Sequence, residues 1–387
     1  MKLALVVPGG VDRTGEFRVI PVLLSLIRRL ACEHEVHVYA LRQEASADCW
    51  QLMGAHIHNI GDGWPRLRAI RAIREEHRRA PFDLVHAIFS GSCSFVAVAA
   101  AMSLGLPSLV HIGGGELVAM HEIGYGGRRF LKGRVREALV LRGAGTVTAA
   151  SAPIIDSLRA LGLQARRVPL GVDLRYWPPR PPHGRREGRA QLIHVASLNR
   201  VKDQSTLLHA LAVLAETGVD FHMDIVGQDT LDGEMQRLAH ELSLDGRVRF
   251  HGFRTQRELR PMMEQADLLV MSSLHEAGPL VLLEAAVVGV PTVGTAVGHI
   301  AEWSPSAARS VPVGDWAALA EAIRHVLADD ELRLRLAVAA QRRAITEDAD
   351  YTARTFQTLY LQAVATGSGR GGALHAASSP RTPKKMG

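Results

Sequence analysis

Residues 3–7, LALVV, form an unbroken apolar run closed by Pro8-Gly9-Gly10, the pattern of a strand buried on both faces that ends in a loop. From Phe17 through LLSLIRRLA to Ala31 the apolar positions recur at helical spacing, so the chain opens as strand, glycine loop, helix. Strand-like runs follow at 36–40 (VHVYA), 83–88 (DLVHAI), 108–112 (SLVHI) and 145–149 (GTVTA), with helical segments near 64–79, 93–104 and 127–142 between them. The alternation resumes at 191–196 (QLIHVA), with a helix opening near 203 and strands at 222–227, 247–250 and 267–271. Such a pattern predicts α/β architecture with two doubly wound parallel sheets, in domains 1–170 and 191–348. Between them, residues 171–190 contain PPRPPHGRREGR, which cannot build a core and reads as a linker. Helical segments near 315–328, 330–345 and 349–363 close the fold. The tail 366–387 is low in apolar content and is expected to be disordered.

One stretch, HEAGPLVLLEAAVVGVPTVGTAVGHIAEW (275–303), carries the densest chemistry. Pro279 suits a first helical position, because its missing N–H is an orphan there anyway, and Gly289 with Pro291 ends the helix before a strand. The free amides of Leu280 and Val281 would then point at whatever precedes the helix, and such an end attracts phosphate. Glu276 in the loop and Glu284 inside the helix both reach a ligand lying over the helix start. Two carboxylates and a row of amides offer acceptors for hydroxyls and donors for phosphate oxygens, as a sugar nucleotide requires.

Glu276-x7-Glu284, in register with Gly278-Pro279, Ala285 and Gly289-x-Pro291, resembles the signature of the retaining glycosyltransferases of family 4, which have the GT-B fold. The resemblance implies two Rossmann-like domains facing a cleft, with Glu276 on the hydroxyls of the transferred sugar, Glu284 on the ribose and Lys202 on the donor diphosphate. It further implies that Gly9 and Gly10 lie beside the diphosphate and acceptor, that Gly227 and Gly252-Phe253 border the nucleotide, and that the helix 349–365 crosses back to the first lobe; the alternative is a cap on the second. RVPLGVD (167–173) is similar to the family's segment at the start of the second lobe. No metal and no cofactor is implied.

Two positions depart from the family pattern. An arginine is usual where Ser197 stands, and Arg200, three residues on, either supplies that charge or is a solvated loop residue. A histidine is usual where Gly113 stands. His111 shares a strand face with Gly113 and is the candidate substitute from deeper in the site. His86, in an apolar strand, is either an acceptor-side residue or a satisfied core histidine. Glu116, after three glycines, is an acceptor-side candidate.

At 387 residues and 47% apolar content, the chain is long enough for two full cores. No apolar run reaches the roughly 20 residues that span a bilayer, and the N-terminus leads directly into a strand, so a cytoplasmic protein is expected. Cys32, Cys49 and Cys93 have neither metal spacing nor an even count and read as thiols in a reducing compartment. Charge is unevenly divided: residues 1–167 hold 21 Lys+Arg against 14 Asp+Glu, and residues 168–365 hold 20 against 25. Arginine-rich segments 64–79 and 128–142 are either solvated faces or a peripheral contact with an anionic membrane, held by charge alone. No nucleic-acid motif accompanies them.

The expected function is transfer of a hexose from a UDP- or GDP-sugar to a glycan or lipid-linked acceptor, in cell-surface polysaccharide or glycolipid synthesis. A GT-B nucleotide-sugar epimerase and a catalytically silent sugar-nucleotide-binding protein are the alternatives; the departures at Gly113 and Ser197 motivate the second.

Overall fold

The structure, a computed structural model, describes residues 1–185 and 187–375. The first lobe runs β1 (Lys2–Val7), α1 (Pro21–Ala31), β2 (Glu35–Ala40), β3 (Asp48–Leu52), β4 (Ala55–Asn59), α2 (Pro65–Arg79), β5 (Leu84–Ile88), α3 (Ser92–Leu104), β6 (Ser108–Ile112), α4 (Leu131–Gly143), β7 (Thr146–Ala149), α5 (Ala152–Ala160) and β8 (Arg166–Arg167). These eight strands lie in the order β3-β4-β2-β1-β5-β6-β7-β8. Every pair is parallel except β3 with β4. That hairpin turns at Met53-Gly54, both at positive φ (52° and 86°), which matches the right-handed twist of two antiparallel strands. Sequence periodicity missed it, since Met53 stands where Asn is the usual signal and DCWQL and AHIHN alternate weakly.

The second lobe runs β9 (Ala190–Val195), α6 (Gln204–Glu216), β10 (Phe221–Val226), α7 (Glu234–Glu241), β11 (Val248–Gly252), α8 (Gln256–Gln265), β12 (Leu268–Met271), α9 (Leu280–Val287), β13 (Thr292–Thr295), α10 (Gly298–Trp303), β14 (Arg309–Val311), α11 (Trp316–Ala328) and α12 (Asp330–Thr346). Its six strands are parallel, in the order β11-β10-β9-β12-β13-β14. In both sheets the order reverses beside the first strand, which leaves a crevice at the strands' C-terminal ends. The loops that follow β9, β12 and β6 all open there.

The last helix, α13 (Ala349–His375), returns to the first lobe. Ala353, Phe356, Leu359 and Tyr360 are buried in one cluster with Leu3, Leu5, Leu26 and Val168. This docking decides the place of His86: its Nδ1 lies 2.7 Å from the Tyr360 hydroxyl, its ring faces Phe356, and it is fully buried. His86 is therefore a core histidine and not an acceptor-side residue. Helix α13 extends ten residues into the tail expected to be disordered, since propagation from a docked turn needs no new nucleus. Residues 376–387 lie outside the described residues.

The segment expected as a loose linker is anchored at its start. Asp173 accepts from Ser25 Oγ (2.9 Å) and Arg29 Nη1 (2.9 Å), and Trp177 is buried in the second lobe's core with Val172, Leu269 and Leu283. Its apolar residues lie before the proline-rich stretch, which is why composition alone characterised only 178–189.

Candidate active site

Loops after β9 and β12 are knitted together. Leu274 N donates to Val201 O (2.8 Å), Ser272 Oγ donates to Lys202 O (2.9 Å), and Asn199 Oδ1 accepts from Lys202 N (3.1 Å). This brings Lys202 Nζ to 2.6 Å from Glu276 Oε1, which also accepts from Ser273 Oγ at 2.7 Å. The Glu276 side chain is 10% exposed and that of Lys202 25%, so the pair is shielded but open to a ligand.

Glu276 leads into α9, whose N-cap is Pro279, one position earlier in the helix than expected; no side chain caps this end. Gly278 must be small because the lobes meet there: a Cβ would lie 2.8 Å from His299 Nε2 and 3.2 Å from Ala150 Cβ. Leu280 and Val281 form the first turn, four and five residues after Glu276.

Glu284 lies deeper than Glu276. It is 6% exposed and receives a 2.9 Å hydrogen bond from Gln256 Nε2. Burial pushes its carboxyl up to about 7, only partly offset by that bond. It lines a cleft of about 640 Å³ together with Leu280, Gln256, Trp177, Asp173 and Ser25, between α1, the interlobe segment and the start of α8. Gly227, at φ +156°, donates to Gly252 O (2.9 Å), and a Cβ would fall 1.9 Å from Ala196 O. Three strand ends thus meet backbone to backbone, and Phe253 projects beyond them, 52% exposed.

Several expected site residues are committed elsewhere. Both guanidinium ends of Arg200 pair with Glu234 at 2.7 Å, so its charge is turned to that carboxylate, while Ser197 is exposed and uncharged. The amides of Gly10 and Val11 donate to Gln43 Oε1 (2.7 and 3.0 Å), which closes the glycine loop on itself instead of leaving it free for phosphate; Gly9 packs against Arg42 O. His111 is fully buried, 3.0 Å from Thr148 Oγ1 and edge-on to Phe356, and burial pushes its imidazole down to about 3. A neutral histidine sealed under the sheet cannot substitute for one at Gly113, where a Cβ would lie 3.1 Å from the Phe89 ring. Glu116 closes its own loop, accepting from Ser90 N (2.8 Å) and Gly114 N (2.7 Å).

Periodicity missed four residues the fold brings to this region. Tyr125 packs over Gly115 with its ring 6.2 Å from that of His275, between the Glu116 loop and Glu276. Burial and the negative charges of Glu276 and Glu116 push the Tyr125 phenol up. Gln256 and Trp177 are the other two. The usable signals were the glycine-rich frame around Tyr125 and the position of His275 directly before Glu276.

Among the described residues, Glu35, His37 and Glu76 form a trio with metal-like spacing, but Lys2 Nζ already sits 2.6 Å from Glu76 and 3.1 Å from Glu35. The Asp-x-Asp triplet Asp348-Ala349-Asp350 is spent on structure. Asp348 Oδ1 caps α13 through Tyr351 N (2.8 Å), and Asp350 pairs with Arg29.

Residues 19–171 match the Glycosyl transferase 4-like domain and residues 177–343 match Glycosyl transferases group 1. The chain belongs to the family 4-type glycosyltransferases of the GT-B fold. Sucrose-phosphate synthase from Thermosynechococcus elongatus superposes on this GT-B chain with a TM-score of 0.79 at 19% identity, covering 95% of this chain and 100% of that one. Anabaena HepE, in complex with UDP-glucose, superposes with a TM-score of 0.70 at 19% identity, covering 92% and 99%. In sequence, the lipopolysaccharide core biosynthesis glycosyltransferase LpsE of Rhizobium meliloti is 33% identical over 164 residues, 42% of this chain and 45% of LpsE. Against the glycogen synthase of Mycobacterium tuberculosis, identity is 30% over 223 residues, 56% of this chain and 53% of the synthase. The matched stretch thus spans about half the length of these curated relatives. No helix among the described residues is long and apolar enough to cross a membrane.

Proposed function

We propose that the protein is a retaining glycosyltransferase that moves a hexose from a UDP- or GDP-sugar to a hydroxyl of a glycan or lipid-linked acceptor, in cell-surface polysaccharide or glycolipid synthesis. The observation that carries this reading is the Lys202–Glu276 pair at the uncapped start of α9, with Glu284 on the same helix in the adjoining cleft. The UDP-glucose complex of HepE and the part of LpsE in lipopolysaccharide core biosynthesis support the donor class and the cell-surface setting.

In this reading the base lies by Gly252-Phe253, the ribose hydroxyls face Glu284, and the diphosphate sits between Lys202 and the amides after Pro279. Arrival of the diphosphate draws Lys202 from Glu276 and frees that carboxylate to accept from sugar hydroxyls. The bond from the anomeric carbon to the leaving phosphate oxygen breaks while the acceptor oxygen bonds on the same face, and the acceptor's proton passes to the departing phosphate. Lys202 and the helix amides stabilise the charge that grows there, a role assigned to them and not to a metal ion. Cations of α2 and α4 face an anionic membrane surface at the cytoplasmic side.

A thermal-shift titration with UDP, GDP and their hexose conjugates tests the donor, because a ligand that binds the folded state alone raises its stability by mass action. Transfer in the presence of the stabilising donor, with the product's anomeric configuration read by NMR, tests the rest. Absence of a shift with every nucleotide would remove the reading, and an inverted product would remove retention.

A further inference from the structure

Helix α4 has two apolar faces. Val140 and Leu141 are buried in the first lobe's core, whereas Leu131, Val135 and Leu139, four residues apart, are 74%, 52% and 66% exposed. This stripe continues beyond its own helix. Phe95 of α3 lines one shallow groove with Leu131, Val135 and Leu139, and another with Trp64 and Leu67 at the start of α2. Trp64 and Leu67 are 80% and 61% exposed, and Met102, near the far end of α4, is 71% exposed. Scattered apolar residues on a surface need no explanation, but a continuous band across three helices marks an interaction site.

The exposed charges that α2 and α4 carry beside the band are cations, with Asp62, two residues before Trp64, as an acidic neighbour. Lys132, Arg134 and Arg136 interleave with the stripe on α4, and Arg66 and Arg68 flank Leu67 on α2. Their contacts leave the charge in place: Arg68 donates to the Asp62 carbonyl (2.8 Å), Arg134 to the Arg128 carbonyl (2.7 Å), and Arg66 lies 6.0 Å over the Phe95 ring. A second copy of this chain would set cation against cation across the band. An anionic bilayer answers both features, taking the apolar side chains below its headgroups and the cations among its phosphates.

We infer that the α2–α3–α4 face is an interfacial insertion surface for anionic lipid bilayers, with Trp64, Leu67, Leu131, Val135 and Leu139 entering the acyl boundary. This deepens the membrane contact proposed above and corrects the expectation that charge alone would hold it, since no contiguous sequence run predicted insertion and only the folded helices assemble the band. Inserted side chains make the binding partly resistant to salt, which a purely electrostatic contact is not.

The test uses the full chain with phosphatidylcholine vesicles, with and without phosphatidylglycerol, some carrying brominated acyl chains. Co-sedimentation should require phosphatidylglycerol and persist in part at high salt, and brominated lipid should quench tryptophan emission in the wild type but not in Trp64→Phe. Leu131→Asp with Val135→Asp should weaken binding about tenfold or more. Thermal shift with nucleotide checks that the doubly substituted protein is folded. Binding without quenching, fully lost in salt, overturns insertion but leaves a charge contact. No binding overturns both, and self-association through this face in place of vesicle binding overturns the bilayer as occupant.

Discussion

Gln256 Nε2 donates to Glu284 Oε1 at 2.9 Å, while Gln256 Oε1 accepts from the indole N–H of Trp177. One amide therefore links the interlobe segment to a buried carboxylate of the cleft between the lobes. It is held at the first position of α8 by a capping box in which Thr255 and Glu258 satisfy each other's backbone amides.

Replacing Gln256 with Ala removes the hydrogen bond that holds Glu284. Bonds to charged groups contribute about 1.5–3 kcal/mol, so nucleoside diphosphate affinity should fall roughly tenfold to a hundredfold by isothermal titration. Gln256→Glu sets a carboxylate against Glu284 and should weaken binding as well. Unchanged affinity in both variants would show that Glu284 does not meet the nucleotide.

The raised pKa of Glu284 makes a stability prediction. Between the ordinary carboxyl value and about 7, the unfolded chain releases this proton and the folded chain keeps it, so the group's contribution lowers stability as pH rises and levels off above 7. Glu284→Gln removes that penalty, a difference of about 3 kcal/mol for a shift of this size. Its Tm should exceed that of the wild type at pH 8, with the gap closing below pH 5, while kcat/KM falls roughly tenfold to a hundredfold. A variant no more stable at pH 8 would mean that Glu284 ionises freely.

Much of the architecture was legible because parallel strands buried on both faces read as continuous apolar runs, and LALVV and QLIHVA are such runs. The Glu276–Glu284 spacing placed one carboxylate in the loop before α9 and one inside that helix for the same local reason, as neighbouring elements carry both residues. What failed depended on contacts distant in sequence. Tyr360 draws His86 into the core from 274 residues away, Glu234 takes Arg200, and Gln43 takes the amides of Gly10 and Val11. No periodicity reports which partner claims a side chain first.

Lys202 and Glu276 should respond with opposite sign to their own removal. Lys202→Ala loses a cation from the diphosphate site, so UDP and GDP binding should weaken more than nucleoside binding. Glu276→Gln releases Lys202 from a shielded ion pair, so binding of the nucleoside diphosphate without sugar should hold or strengthen severalfold, by about 1 kcal/mol, while sugar transfer falls. Arg200→Ala, already engaged by Glu234, should change affinity less than about twofold. Weakened diphosphate binding in Glu276→Gln would show that the pair positions Lys202 instead of restraining it.

The junction between the lobes makes the last prediction. Asp173 lies on the interlobe segment, its side chain 5% exposed, and Arg29 of α1 reaches it at 2.9 Å while also pairing with Asp350 at the start of α13. Burial opposes ionisation of Asp173, but hydrogen bonds from Arg29, Arg175 and Ser25 outweigh it and hold the carboxyl well below its usual range. A depressed folded-state pKa contributes stability that is complete above the unfolded value near 4 and is lost as pH falls toward the folded one. Asp173→Asn should therefore lower stability by about 2–4 kcal/mol near neutrality, since it leaves Arg29 short of one buried partner though still held by Asp350. The deficit should be constant from about pH 5 upward and shrink below pH 4, where the unfolded carboxyl takes up a proton that the folded one still refuses. Paired urea denaturation of wild type and variant from pH 3 to 8 measures this directly. The same series reports on lobe coupling: because Arg29, Asp173 and Asp350 belong to three different segments at the junction, the variant's transition should broaden or split if the lobes unfold separately once this tie is gone. A deficit unchanged down to pH 3 would mean that Asp173 contributes packing and not charge.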